Sequence, residues 1–319
     1  MIGHLVAAVA SLGALAFGSS THGIDAYAPA RSSAPRAQLR TPWCGDALTT
    51  DDTAHQLANG PARYHAILAE PAGTPTRLSE VAPQIQADAL SASALLERRY
   101  GRAIRYDLGT RCGAEYLDIS VLRMRVSSDA LAAAAQQPNR TLQTVYDELA
   151  AAGWPVTMPT ATSPPQRDTN YVVWLDGPAP AGACGQATLY EDARRTPTNR
   201  NNMGGTVGVI FREGDGFCSA DAVRHEIGHT LGAVQPSAAP HGDDGGHCGD
   251  AFEDTMCLET SPSRGDSHFQ GEYFDYGNDD YWDPPGGQAL SWWTADLSRF
   301  LCQDAGCNGV TSTDTPAAS

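Results

Sequence analysis

Apolar and polar positions along this chain follow two alternating periods. Residues 62–70, ARYHAILAE, place apolar side chains at every second position, the spacing of a half-buried strand. Residues 77–101 shift to a helical period, with Pro83 near the start and Gly101 at the end. Residues 103–108 and 116–126 return to strand character. Residues 141–153 read as a helix stopped by Gly153, and 155–168 as a loop rich in Pro and Thr. Short apolar runs at 170–177 and 205–211 predict two buried strands. A helix ending at Gly232 follows, and a closing helix is expected at 286–301. Strands interleaved with helices predict an α+β layer fold whose N-terminal half holds a mixed sheet.

Between the last two helices, residues 233–285 carry Gly, Asp, Pro and Ser with little period. So long an irregular stretch inside a compact domain is usually functional. The pattern therefore divides a single domain, 43–307, into an N-terminal subdomain, 43–232, and an irregular C-terminal subdomain, 233–307. Residues 308–319 are polar and read as a disordered tail.

At the N-terminus, Leu5 to Phe17 form an apolar run too short for the roughly 20 residues that span a bilayer. Followed by small and polar residues, it reads as a secretory signal peptide, although no Lys or Arg precedes it. A buried N-terminal helix is the alternative. Residues 18–42 are an aperiodic lead-in, and order is expected to begin near Trp43.

Composition narrows the function. Net charge is −16 over 319 residues, which disfavours nucleic acid and anionic membranes, since both are held by Lys and Arg. A soluble, acidic, secreted monomer is expected. Eight cysteines, none in a CxxC pair, point to disulfides in an oxidising compartment. Their order suggests Cys44–Cys112, Cys184–Cys218, Cys248–Cys257 and Cys302–Cys307.

The chemistry concentrates in residues 224–235, RHEIGHTLGAVQ. Ser219 suits the helix N-cap, Asp221 the first turn, and Gly232 a left-handed stop. On a helix, Val223, Ile227, Thr230 and Leu231 share one side, and His225 and His229 lie roughly opposite. One turn apart, the two imidazoles reach a single tetrahedral ion at about 2.0–2.1 Å each. Beside them, Glu226 has the place of the general base in HExxH hydrolases, where it takes a proton from metal-activated water. Two histidines hold zinc poorly, so a third ligand is required. Gln235 offers only a neutral amide oxygen. His247 is the favoured candidate: Gly245 and Gly246 permit close approach, and a Cys248–Cys257 bridge would tie it to Met256. Gln235, His241, His268 or an acid remain alternatives.

The blocks CGQATLYED, RHEIGHTLGAVQPSA, GGHC, DTMC, NDDYW and WWTADLSRFL run in order from Cys184 to Leu301. Together they resemble the metzincin clan of zinc peptidases, and more closely a group of secreted actinobacterial metzincin-like proteins. The resemblance covers about the C-terminal 40% of the chain. It implies a zinc endopeptidase with Met256 in a turn beneath the metal. Glutamine at the position of Gln235 is usual in that group, and so is a GHC block, which again makes His247 the candidate third ligand. It also implies that the N-terminal sheet forms the upper part of a cleft, with the zinc helix as its floor. One departure is Leu258, where the clan often has a tyrosine that supports the oxyanion; Tyr273, Tyr276 or Tyr281 are substitutes. PWCGD, 42–46, weakly resembles a cysteine-switch prosegment, but a disulfide is preferred for Cys44.

Calcium is a second candidate ion, because residues 242–254 and 274–283 are acidic loops without an EF-hand spacing. Asp279 and Asp280 would instead suit hydrogen bonding to a ligating histidine. Trp292 and Trp293 read as core residues, and the glycosylation sequon at 139–141 carries no weight. The expected substrate is a peptide or protein. A non-catalytic secreted protein is the competing class; it would keep a metal-stabilised fold and bind a partner such as a cell-wall component. Metal-assisted hydrolysis of a non-peptide amide is a third.

Overall fold

A computed structural model describes residues 43–44, 62–181, 183–212, 220–238, 246–249, 254–257, 273–276, 281–282 and 293–302. The fold is mixed α and β around a mostly parallel sheet. Strand β1 (Arg63–Ala72) leads into helix α1 (Leu78–Tyr100). Then come β2 (Ala103–Ile104), β3 (Leu108–Thr110), β4 (Gly113–Leu117) and β5 (Ile119–Ser127). Helices α2 (Ser128–Ala135) and α3 (Arg140–Ala151) precede β6 (Thr169–Leu175), β7 (Gly185–Ala187) and β8 (Val207–Phe211). Helix α4 (Ala220–Thr230) and the short strand β9 (Leu301–Cys302) complete the described elements.

The central sheet has the order β5-β1-β6-β8-β7. Its first four strands run parallel, and β7 is antiparallel to β8 at the edge. Parallel strands covered on both faces become apolar throughout, as in NYVVWL of β6. Ala66, Leu68, Val172, Trp174 and Ile210 pack with residues of α1 and α4 on one face. Ile67, Ala69, Val173, Val209 and Phe211 pack with residues of α2 and α3 on the other. The first cluster extends from Ala62 to Leu301, so it takes in both halves of the chain.

Helix ends follow their sequence signals. Gly101 adopts φ 63° and donates its N–H to the Glu97 carbonyl, closing α1. Pro83 lies in the early part of α1. Helix α2 carries a Ser127 cap over Ala130 N–H. Neither α2 nor β7 is expected from the hydrophobic period, because α2 is mostly alanine and β7 has only three residues.

The expected closing helix is corrected. Residues 293–302 form a single 3-10 turn, Ala295–Leu297, and then β9. β9 pairs antiparallel with β2 through Ala103↔Cys302 and Ile104↔Leu301. Tertiary partners override the helical pattern here. Trp293 N–H donates to the Ala193 carbonyl, and Phe300 packs edge-on against Tyr64 at 5.8 Å. Trp293 is core, whereas Trp292 and 286–291 lie outside the described residues.

Two disulfides are described in full, Cys44–Cys112 and Cys248–Cys257. Cys184 and Cys302 are also disulfide-bonded, and Cys218 and Cys307 lie outside the described residues. The bridge at Cys44 is incompatible with a free switch thiol. Four bonded cysteines in two described bridges point to an oxidising compartment. Among the described residues, no helix is long and apolar enough to cross a membrane. The signal-peptide and tail segments lie outside the described residues.

Candidate metal centre

Helix α4 lies close on β8 because a glycine in the strand lets it approach. A Cβ at Gly208 would stand 3.3 Å from the Glu226 Cβ. Within the helix, a Cβ at Gly228 would stand 2.5 Å from the Met256 sulfur, so the glycine of HEIGH makes room for the methionine beneath. Gly232 ends the helix at φ 97°, and a Cβ there would meet the Trp293 ring at 2.7 Å. The Trp293 indole N–H donates to the Leu231 carbonyl at 2.8 Å. Ser219, the expected cap, lies outside the described residues.

The fold brings His225, His229 and His247 together. His225 Nε2 lies 3.0 Å from His247 Nε2 and 3.2 Å from His229 Nε2. Ring centroids are 4.8–4.9 Å apart for every pair. All three are buried, at 7%, 7% and 1% exposure.

Tautomers decide what this triangle is. His225 Nδ1 faces the Thr255 carbonyl at 2.8 Å, and His229 Nδ1 faces the Ala233 carbonyl at 2.9 Å. A carbonyl only accepts, so each Nδ1 carries the proton and each Nε2 presents a lone pair. Two lone pairs 3.2 Å apart repel unless a cation sits between them. A proton would join one pair only; a metal ion satisfies all three nitrogens. Three nitrogens at about 2.0–2.1 Å from a tetrahedral ion are about 3.3 Å from one another, close to the distances here. The donor set therefore fits a divalent metal ion of borderline softness.

Gln235 lies elsewhere. Its Oε1 accepts from Asp192 N at 3.1 Å, and its Nε2 donates to the Tyr190 and Gly232 carbonyls at 3.0 Å. Every polar atom of that amide is committed to main chain, which anchors the segment after α4 to the loop before residue 200. The alternatives His241 and His268 lie outside the described residues, as do Asp279, Asp280 and Leu258.

Glu226 is buried, and its Oε2 has no hydrogen-bond partner among the described residues. Burial pushes its carboxyl well above the usual carboxylate range. A Cβ at Gly185 would collide with this carboxylate, so edge strand β7 runs directly past it. A buried carboxylate oxygen held without a partner is costly, and such groups concentrate at functional sites.

Met256 is fully buried in a turn, Asp254–Cys257. Asp254 accepts from Met256 N at 2.7 Å and Tyr276 N at 2.9 Å, and from the Tyr281 hydroxyl. Thr255 bonds twice to the Tyr273 carbonyl. Of the candidate oxyanion tyrosines, Tyr281 is thus committed to Asp254, Tyr273 lies under the Arg99 guanidinium, and Tyr276 is 49% exposed. Asp275 accepts from Tyr281 N and Trp282 N. Asp254 and Asp275 therefore serve the main chain rather than an open calcium-like cluster. The roles of Asp254 and Tyr281 are absent from the sequence reading; the one local signal is an Asp two residues before Met256, the spacing of an Asx turn.

Among the described residues, two other buried groups bring potential donor atoms within 4.8 Å of one another. One contains Cys248 and Cys257, which are oxidised and offer no thiolate. The other is His65, Asp107 and Asp118. There His65 Nδ1 faces Asp107 at 3.1 Å and Nε2 faces Ser120 at 2.9 Å. Burial pushes the Asp107 carboxyl up, but His65 and Arg63 outweigh it and hold it below the usual range. The Arg63–Asp107 ion pair and the hydrogen bonds of both His65 nitrogens already engage this network.

No protein-family model matches the chain, and no curated protein matches it in sequence.

Proposed function

We propose that the protein is a secreted, zinc-dependent endopeptidase of the metzincin type. The observation that carries this reading is the convergence of three imidazole nitrogens, two with tautomers set by carbonyls, beside a buried carboxylate oxygen without a partner. His225, His229 and His247 would hold the ion. A bound zinc ion supplies Lewis acidity and makes water acidic enough to ionise near neutrality. Glu226 then accepts the proton from the attacking water and delivers it to the leaving amine. Glu226 is suited to both steps, because its buried Oε2, without a partner among the described residues, can hydrogen-bond water. An extended peptide would lie beside edge strand β7, pairing by main-chain hydrogen bonds and passing the Glu226 carboxylate at Gly185.

The non-catalytic alternative has one observation in its favour: the Tyr281 hydroxyl is engaged by Asp254, so it does not assist an oxyanion. Assay of an unstructured protein substrate, with and without chelator, separates the two. Under the peptidase reading, cleavage disappears on chelation and returns with Zn2+. Glu226→Gln should keep one zinc per chain and lose hydrolysis by about 100-fold or more. Unchanged hydrolysis in that variant rejects the peptidase.

A further inference from the structure

The three histidines come from segments of different character. Two lie on α4, but His247 lies in a stretch without regular structure, and the Nδ1 partner of His225 is a turn carbonyl. Rigidity there must come from side chains. The turn Asp254–Cys257 meets both segments that carry the histidines. Its Thr255 carbonyl accepts from His225 Nδ1, and its Met256 carbonyl accepts from Cys248 N, the residue after His247.

The Thr255 carbonyl and the Met256 N–H belong to one peptide unit, which is planar. At one end of that plane, Asp254 Oδ1 accepts from Met256 N at 2.7 Å. At the other end, the carbonyl accepts from His225 at 2.8 Å. Turning the N–H necessarily turns the carbonyl. A carboxylate at the N–H end also polarises the amide, making its carbonyl a stronger acceptor and His225 Nε2 a more basic donor to metal.

On the reading of the three histidines as ligands, we infer that Asp254 is a positioning residue of the metal centre, acting on His225 through the 255–256 peptide. It does the work of the carboxylate that commonly bonds a ligating histidine, with one peptide unit interposed. Tyr281 and Tyr276 N–H, both donating to the same carboxylate, hold it in place. The Cys248–Cys257 bridge cannot substitute, because it ties the ends of the segments without orienting the Thr255 carbonyl.

The test is Zn2+ affinity of the full chain at pH 8, measured by competition with a chromogenic chelator. Ligand-field spectra of the Co2+-substituted protein are recorded alongside. Asp254→Asn keeps an acceptor for Met256 N but removes the charge; we expect 10- to 100-fold weaker Zn2+ and shifted Co2+ bands. Asp254→Ser, whose hydroxyl can also cap the turn, decides the matter if the Asn variant does not fold. Gln235→Ala is the control for destabilisation alone, since Gln235 touches no ligand side chain. Wild-type affinity and spectra in the Asp254 variants overturn the inference, and so does an equal loss in Gln235→Ala. Wild-type affinity in His247→Ala instead overturns the metal centre itself.

Discussion

Gln235 shows how a single residue can stand in a metal motif without serving the metal. Its amide bonds the main chain of Asp192, Tyr190 and Gly232, and each partner is buried or part-buried. Gln235→Ala should therefore retain one zinc per chain and lose about 2–3 kcal/mol of stability, the cost of leaving buried main-chain groups unpaired. Metal analysis and denaturant unfolding check both halves. Gly232 is equally specific in its demand. Alanine there meets the strain of a left-handed backbone and the Trp293 ring together. The gain from lower chain entropy, about 1 kcal/mol, is too small to compensate. We expect Gly232→Ala to lose about 2–4 kcal/mol, read as a lower melting temperature.

At the scale of elements, the turn around Met256 is held by side chains, and its stability depends on the protonation of a buried carboxyl. Burial pushes the Asp254 carboxyl up to about 7 from an ordinary 3.8. The folded protein thus binds this proton more tightly than the unfolded chain. Its contribution is fully present below about pH 4 and is lost as pH rises through about 7. In metal-free protein, wild type should lose stability relative to Asp254→Asn between pH 4 and pH 7, by an amount on the order of a few kcal/mol. A difference that stays constant across that interval would show that Asp254 does not titrate there. Helix α4, by contrast, is a regular element that buries Val223 and Ile227 and ends at Gly232 with φ 97°.

For the whole molecule, one core joins the two predicted subdomains. The cluster that includes β1, α1 and α4 also includes Met256, Phe274, Trp282 and Leu301. β9 pairs with β2 across nearly the length of the domain in sequence. Heating should therefore give one cooperative transition in calorimetry, and chelation should move it to lower temperature as a unit, because an ion bound only by the native state stabilises all of it. Two resolved transitions would separate the halves and contradict the shared core.

What the residues determine alone is whatever a period or a short spacing encodes. The strands β1, β6 and β8, the helices α1, α3 and α4, and the placing of His225, Glu226 and His229 on one helix turn are all local, and all are legible in the sequence. The alanine-rich helix α2 and the three-residue strand β7 are not. Residues 292–301 carry a helical pattern, yet pairing of β9 with β2 and the anchoring of Trp293 decide otherwise. The meeting of His247 with α4 is a contact across 22 residues of sequence. Motif resemblance names His247 as a candidate, but only the tertiary structure sets its nitrogen 3.0 Å from that of His225. The peptide linking Asp254 to His225 is further still from legibility, since three-dimensional packing alone decides which carbonyl a histidine meets.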